Sequence, residues 1–225
     1  MPTSPARRPF LNYRRFIQKH YDGPAGALTS VTGLLTGHEA LAGRLIRPAA
    51  FDVRGCRRIL DAGCGNGRYS RWLLRHADPG ATITAFDLSP RMLRRARRRL
   101  KSERVTFAVA DLTRLPYAEG LFDAAVCGWV LEHLPDPRLG LRELARVLRP
   151  GGRLLLLTTE DNVTGRWCGR LWHCRTYRRA ELRRDCAECG LRWGRELSFS
   201  RLHTRLRLGG IIVELHREGR SVSTP

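Results

Sequence analysis

Three aspartates and three closely spaced glycines are the residues of this chain best placed to do chemistry. The stretch ILDAGCGNGRYS, residues 59–70, sets Gly63, Gly65 and Gly67 between an apolar run and a run with helical spacing. Glycine tolerates positive φ and lets another group approach the backbone closely. A helix that starts just after such a loop offers free N–H groups to a polar or anionic ligand. Asp61 opens the loop, Asp87 stands 20 residues beyond Gly67, and Asp111 follows a third apolar run. An acid at the end of a second strand suits bidentate hydrogen bonding to a ribose diol and would repel a 2′-phosphate. Asp111 can take an adenine amino group while a backbone N–H beside Leu112 meets a ring nitrogen. The pattern is that of a nucleotide-type pocket.

The glycine spacing discriminates between ligands. A dinucleotide fingerprint reads G-x-G-x-x-G, whereas Gly63-Cys64-Gly65-Asn66-Gly67 reads G-x-G-x-G. Asp61, two residues ahead, would repel a pyrophosphate and suits a ligand carrying a cationic amine. S-adenosylmethionine has a ribose, an adenine, an amino acid and a sulfonium, and no phosphate.

These residues need a scaffold that brings strand ends together. From Arg57 the chain alternates: strand 57–61, helix 68–77, strand 81–87, helix 90–101, strand 105–111, strand 122–128, helix 137–148, strand 152–159. Alternation of this kind implies a parallel sheet with helices on both faces. In helix 68–77, Tyr69, Trp72, Leu73 and His76 recur on one face. Ser89-Pro90 and Asp136-Pro137 each place a capping side chain before a proline at the first helical position. Residues 161–177 read as a loop with room for a short helix; helix 178–189 and strands 191–199 and 210–217 follow, an antiparallel pair at the sheet edge. The expected fold is α/β: a Rossmann-like, doubly wound, mostly parallel seven-stranded sheet with a terminal antiparallel hairpin and an N-terminal helical extension. The expected divisions are a disordered tail over 1–9, a helical lid over 10–50, the main domain over 51–217 and a tail over 218–225.

Composition narrows the class. The chain's 225 residues allow one large domain with a full core, and 42% are hydrophobic, a globular value. No apolar run reaches the ~18–20 residues that span a bilayer, and MPTSPARRPF has no apolar leader core. The expectation is a soluble cytoplasmic protein. Lys+Arg number 41 against 21 Asp+Glu, a formal charge of +20, and all but Lys19 and Lys101 of the basic residues are arginine. Such charge can attract nucleic acid or an anionic membrane surface. RMLRRARRRLK, 91–101, favours a blander reading: Met92, Leu93, Ala96 and Leu100 form one helical face and arginines fill the other. Nucleic acid is therefore the less favoured partner, and peripheral contact with an anionic membrane stays open.

Seven cysteines in a chain without an export signal argue against disulfides. Cys168, Cys174, Cys186 and Cys189 cluster late, and CAEC has the spacing of a zinc half-site. Leu182, Cys186 and Cys189 also fall on one helical stripe, where cysteine behaves as a small hydrophobe. The stripe is preferred, and no metal site is expected.

With these motifs in order, the chain resembles the class I S-adenosylmethionine-dependent methyltransferases of the small-molecule, type 11 group. ILDAGCGNG resembles the family's first motif, AFDLSPRML its second, VADLTRLPY its third, FDAAVCGWVLEHLPDP its fourth, and ELARVLRPGGRLLLLTT the segment through strand five; together they span about residues 57–159. The resemblance implies S-adenosylmethionine as cofactor, with Asp61, Gly63, Gly65 and Gly67 around it, Asp87 on the ribose, and Asp111 and Leu112 at the adenine. Cys64, Leu88 and Cys127 are expected beside the cofactor, the two cysteines as small residues without chemistry.

Methyl transfer from a sulfonium is an in-line displacement, so alignment dominates, and the acceptor must lose a proton at some stage. His133 in LEHLPDP is the candidate base, and Glu132 beside it reads as a scaffold contact. CGWVLEHL lacks the Asp/Asn-Pro-Pro-aromatic and Pro-Cys motifs of DNA methylation, which points to a small or lipophilic acceptor, quinone-type or another lipid. Phe10, Tyr13, Phe16, Tyr21, Trp167 and Trp172 are expected to line it. RNA methylation and a non-catalytic scaffold that retained the pocket are the alternatives.

Overall fold

The computed structural model describes residues 10–23, 38–172, 174–200, 203, 205 and 210–219. The expected tail over 1–9, and 220–225 of the other, lie outside them. Helices α1 (Phe10–Asp22) and α2 (His38–Leu45) precede the sheet. Then come β1 (Arg58–Ala62), α3 (Arg68–His76), β2 (Thr82–Asp87), α4 (Pro90–Leu100), β3 (Val105–Val109), β4 (Phe122–Gly128), α5 (Pro137–Val147) and β5 (Leu148–Thr158). Helices α6 (Val163–Trp172) and α7 (Arg179–Glu188) lead to β6 (Leu191–Glu196) and β7 (Ile211–Arg217).

The seven strands form one sheet in the order β3-β2-β1-β4-β5-β7-β6. The first five are parallel; β7 runs antiparallel to both β5 and β6. The order reverses between β1 and β4, and at such a switch point the strand ends leave a crevice for a ligand.

Side-chain alternation sorts the core into two layers. Leu60, Ala62, Ala125, Cys127, Leu154 and Leu156 face the layer of α5 and α7; Ile59, Ala124, Val126, Leu155 and Leu157 face the layer of α2 and α3. Strands buried on both faces read as continuous apolar runs, as ILDA and LLLLT do. Ser89 and Asp136 cap α4 and α5 through backbone N–H bonds from Met92 and Arg138, as expected from the proline positions.

Four local readings differ from the structure. Strand β3 stops at Val109, so Asp111 lies beyond it in an isolated bridge with Arg114. Of the expected face of α3, Tyr69 and Leu73 are buried while Trp72 packs half-buried against the same core and His76 is half-buried; Ser70, not expected there, is buried with its hydroxyl donating to Asp61. The segment read as a loop with room for a short helix is largely the ten-residue helix α6, whose Gly165 and Gly169 lower its intrinsic propensity. The Asn162 side chain starts it, accepting the Gly165 N–H at 2.7 Å. Finally, the N-terminal segment divides: Ala42, Leu45, Ile46 and Phe51 belong to the core layer with Ile59 and Leu73, whereas α1 lies over the strand ends.

Candidate active site

Strand β1 delivers Asp61 to the switch point and breaks into the glycine loop. Gly63 has φ +68, and a Cβ there would lie 2.3 Å from Cγ2 of Val130, so a bare backbone is required twice over. Helix α3 begins at Gly67 with no side-chain cap, leaving its first turn facing the loop. The Asp87 carboxylate at the end of β2 ties the loop down: Oδ2 accepts from the Gly65 N–H and Oδ1 from the Ser89 N–H, each at 2.8 Å. Burial pushes this carboxyl up to about 6 despite both amides.

A cavity of about 880 Å³ opens above the loop. Gly63, Cys64, Gly65, Asp87, Leu88, Asp111, Leu112 and His133 line it, bringing eight of the expected site residues together. Asp61, Gly67 and Cys127 stand behind the wall. Asp61 is fully buried; Oδ2 accepts from the Ser70 hydroxyl at 2.5 Å, while Oδ1 has no hydrogen-bond partner among the described residues. Burial raises its carboxyl to about 7, with the Ser70 bond opposing. Cys127 faces the α5 layer of the core, and burial raises its thiol.

Helix α1 closes one side of the cavity. The Arg14 guanidinium meets Asp111 Oδ2 at 2.5 Å, and Gln18 donates to the Leu88 carbonyl at 3.1 Å. Thr113 holds the other Asp111 oxygen through its N–H and its hydroxyl. The Ser89 hydroxyl donates to Asp22, and Tyr21 Oη lies 2.9 Å from His133 Nε2. Tyr13 and Tyr21 both line the cavity, and burial, joined by Asp111 for Tyr13 and Glu132 for Tyr21, lifts both hydroxyls well above the usual tyrosine range. The side chains of Phe10, Phe16 and Trp172 lie outside the described residues.

His133 sits in a short 3₁₀ turn, Leu131–His133, just after β4. Its neighbour Glu132 is buried, accepting from the Thr158 and Thr159 hydroxyls at 2.9 and 2.8 Å, and burial raises its carboxyl to about 7. That arrangement is the scaffold contact expected of it: the carboxylate joins the turn to the end of β5. Opposite, Trp129 takes φ +55 and lies between the Tyr69 and Phe199 rings, each 6.3 Å away and stacked. Phe199 and His203, from the segment after β6, line the same wall, and no feature of the sequence singles them out because they reach the site only through the β6–β7 return. Among the described residues no group of three His, Cys, Asp or Glu side chains is arranged to hold a metal ion. Cys186 and Cys189 pack in the core with Leu182.

The family model described as a methyltransferase domain, type 11, matches residues 60–156, the span from the end of β1 to β5. Residues 60–156 are thus similar to a type 11 methyltransferase domain. Within it lie the glycine loop, Asp87, Asp111 and the His133 turn; α1 and α6, which wall the cavity, lie outside. Methyltransferase GfsG of Streptomyces halstedii is 44% identical over 113 residues, 47% of this chain and 39% of that protein. A demethylmenaquinone methyltransferase of Paenarthrobacter aurescens is 32% identical over 147 residues, 65% of this chain and 56% of that protein. The chain thus matches about half the length of these relatives. A solved 1,6-didemethyltoxoflavin-N1-methyltransferase of Burkholderia thailandensis shares the fold, with a TM-score of 0.66 at 20% identity, covering 97% of this chain and 93% of that one. Among the described residues no helix is long and apolar enough to cross a membrane.

Proposed function

We propose that the chain is an S-adenosylmethionine-dependent methyltransferase whose acceptor is a small, planar, quinone-type molecule. The observation that carries this reading is the continuity of the cavity, which runs from the Gly63–Gly65 loop and Asp87 to the Tyr21–His133 pair. Its two ends suit the two halves of a methyl transfer.

The loop end fits the cofactor. The unpaired Oδ1 of buried Asp61, whose carboxyl burial raises to about 7, becomes a counter-charge behind the loop when a cationic ligand favours its ionised form. A carboxylate offers about four acceptor sites, so Asp87 can hold a ribose diol in addition to its two amides. Leu88 and Leu112 supply apolar walls for a purine beside Asp111. When bound, S-adenosylmethionine supplies a methyl group already activated by its sulfonium.

The chain's own part is alignment and proton handling. Holding two reactants in line is worth up to ~7–11 kcal/mol in favourable intramolecular cases. The stacked rings of Tyr69, Trp129 and Phe199 give the acceptor end an apolar, aromatic wall, and the name of the Paenarthrobacter relative supports a quinone-type acceptor. Tyr21 stays a neutral hydroxyl at ordinary pH, so it can pass its proton to His133 Nε2 while taking one from the acceptor. Helix α1, pinned at Asp111, Ser89 and His133, serves as the lid that excludes water.

The test is turnover. Purified protein with methyl-deuterated S-adenosylmethionine and a panel of demethylated naphthoquinols, catechols and phenols should give a product heavier by one labelled methyl. Binding of S-adenosylhomocysteine without product from any of them, or product only on structured RNA with steep salt sensitivity, overturns the acceptor class. Tight NAD binding with no response to S-adenosylhomocysteine overturns the cofactor.

A further inference from the structure

Helix α6 shows water a face that soluble helices ordinarily bury. Val163, Trp167 and Leu171 are 77%, 66% and 55% exposed, three of the four large hydrophobics in that state among the described residues. They recur every four residues, and each step overshoots a full turn by about 40°, so the three form one continuous stripe. The opposite side of the helix carries Gly165 and Gly169, both buried. A Cβ on Gly165 would lie 1.8 Å from the Glu160 carbonyl oxygen. The helix is therefore seated by its glycine face, and the apolar stripe is directed outward by that seating.

The charge on the helix itself has one sign. Helix α6 contains Arg166 and Arg170 and no acid. Helical geometry places both within about 60° of Val163, on one flank of the stripe, and both are exposed. The nearby acids, Asp161 and Glu160, sit at the foot of the helix and are held by Arg178, Arg166 and Arg179. The stripe itself borders the cavity: Trp167 and Leu171 line its mouth, with Thr164 and Cys168 on the flank away from the arginines.

We propose that α6 is a membrane-docking helix that lays its Val163–Trp167–Leu171 stripe into the surface of an anionic bilayer. Indole rings favour the headgroup level, apolar side chains on one face of a surface helix enter the acyl boundary, and arginines beside them pair with anionic headgroups. The chain's net charge of +20 adds a long-range attraction to the same surface. Docked this way, the cavity mouth opens at the lipid boundary, where a lipophilic acceptor can enter without crossing water.

Vesicle flotation of the full chain tests this, with phosphatidylcholine vesicles with and without phosphatidylglycerol. Binding should require phosphatidylglycerol and fall at least about tenfold in Val163→Asp/Leu171→Asp, an exposed pair whose change leaves the melting temperature in place. Brominated lipid should quench tryptophan emission in the unchanged chain and quench it less in Trp167→Phe, a readout independent of how the double variant folds. Unchanged flotation of the double variant, with binding abolished by salt alone, means that arginines elsewhere hold the vesicle and overturns the proposal. So does self-association that the double variant abolishes while neither protein binds vesicles, since the stripe is then an interface between copies. Flotation is read without turnover, so it stands or falls separately from the acceptor proposed above.

Discussion

The Asp87 carboxylate grips the Gly65 N–H at 2.8 Å, so the end of the second strand and the glycine loop move as one unit. A ribose-binding acid read from sequence alone would be a ligand contact whose loss leaves folding intact. The geometry adds a second role, because the same carboxylate also accepts the Ser89 N–H at the start of α4.

Asp87→Ala should therefore weaken S-adenosylhomocysteine binding by about 2–4 kcal/mol and also lower stability by about 1–3 kcal/mol, the cost of orphaning buried amides. Calorimetry and denaturant melts measure the two. Unchanged affinity would place the ribose elsewhere, and unchanged stability would mean that the loop holds itself.

Gly63→Ala should be worse for the site than its one added methyl implies. The residue needs φ +68, and the new Cβ would meet Val130 at 2.3 Å. Strain and overpacking together should cost about 2–4 kcal/mol. Gly55→Ala is the control: its φ is +75 but nothing lies within 4 Å, so only the backbone cost applies. Equal melting points for the two variants would remove Val130 from the explanation.

Buried carboxyls give the stability of the ligand-free chain a definite pH slope. Asp61, Glu132 and Asp87 are held up at about 7, about 7 and about 6 by burial. Their free values lie near pH 4. Between those limits the folded chain keeps protons that the unfolded chain has released, so stability is greatest below about pH 4 for these groups and is lost as pH rises through 6 to 7. His76 and His216, lowered by burial, act oppositely below about pH 6.5. Comparing Asp61→Asn with the unchanged chain subtracts them. The variant should lose less melting temperature between pH 5 and 8; a parallel pair of curves would show that Asp61 ionises freely in the fold.

Tyr21→Phe and His133→Asn should spare cofactor binding and reduce turnover, each by about 10²-fold or more if the pair moves the acceptor's proton. The double variant should be little worse than either single one, as expected of residues acting as a unit. Full additivity, or turnover unchanged in His133→Asn, would leave the 2.9 Å contact as a latch for α1 and no more.

The sequence by itself determined the order of strands and helices from β1 to β5, the closing strand pair, the glycine loop, and Asp61 and Asp87 on the first two strands. The reason is local: apolar runs buried on both faces, prolines after capping residues, and glycines at a turn leave marks within a few residues of where they act. It also placed Cys186 and Cys189 on a buried stripe, since helical spacing alone defines it. Only the tertiary structure decided the rest. Asp61 stands behind the loop because Ser70, nine residues on, draws it to α3. Arg14 reaches Asp111 across 97 residues, and Tyr21 reaches His133 across 112. Phe199 joins Trp129 because β7 returns beside β5. The full length of helix α6 went beyond the short helix the sequence allowed: its glycines look like breaks locally and become a seat once the Glu160 backbone lies against Gly165 and the Cys174 carbonyl against Gly169. Contacts closed over such distances depend on how the sheet stacks its ends, which no short window of residues records.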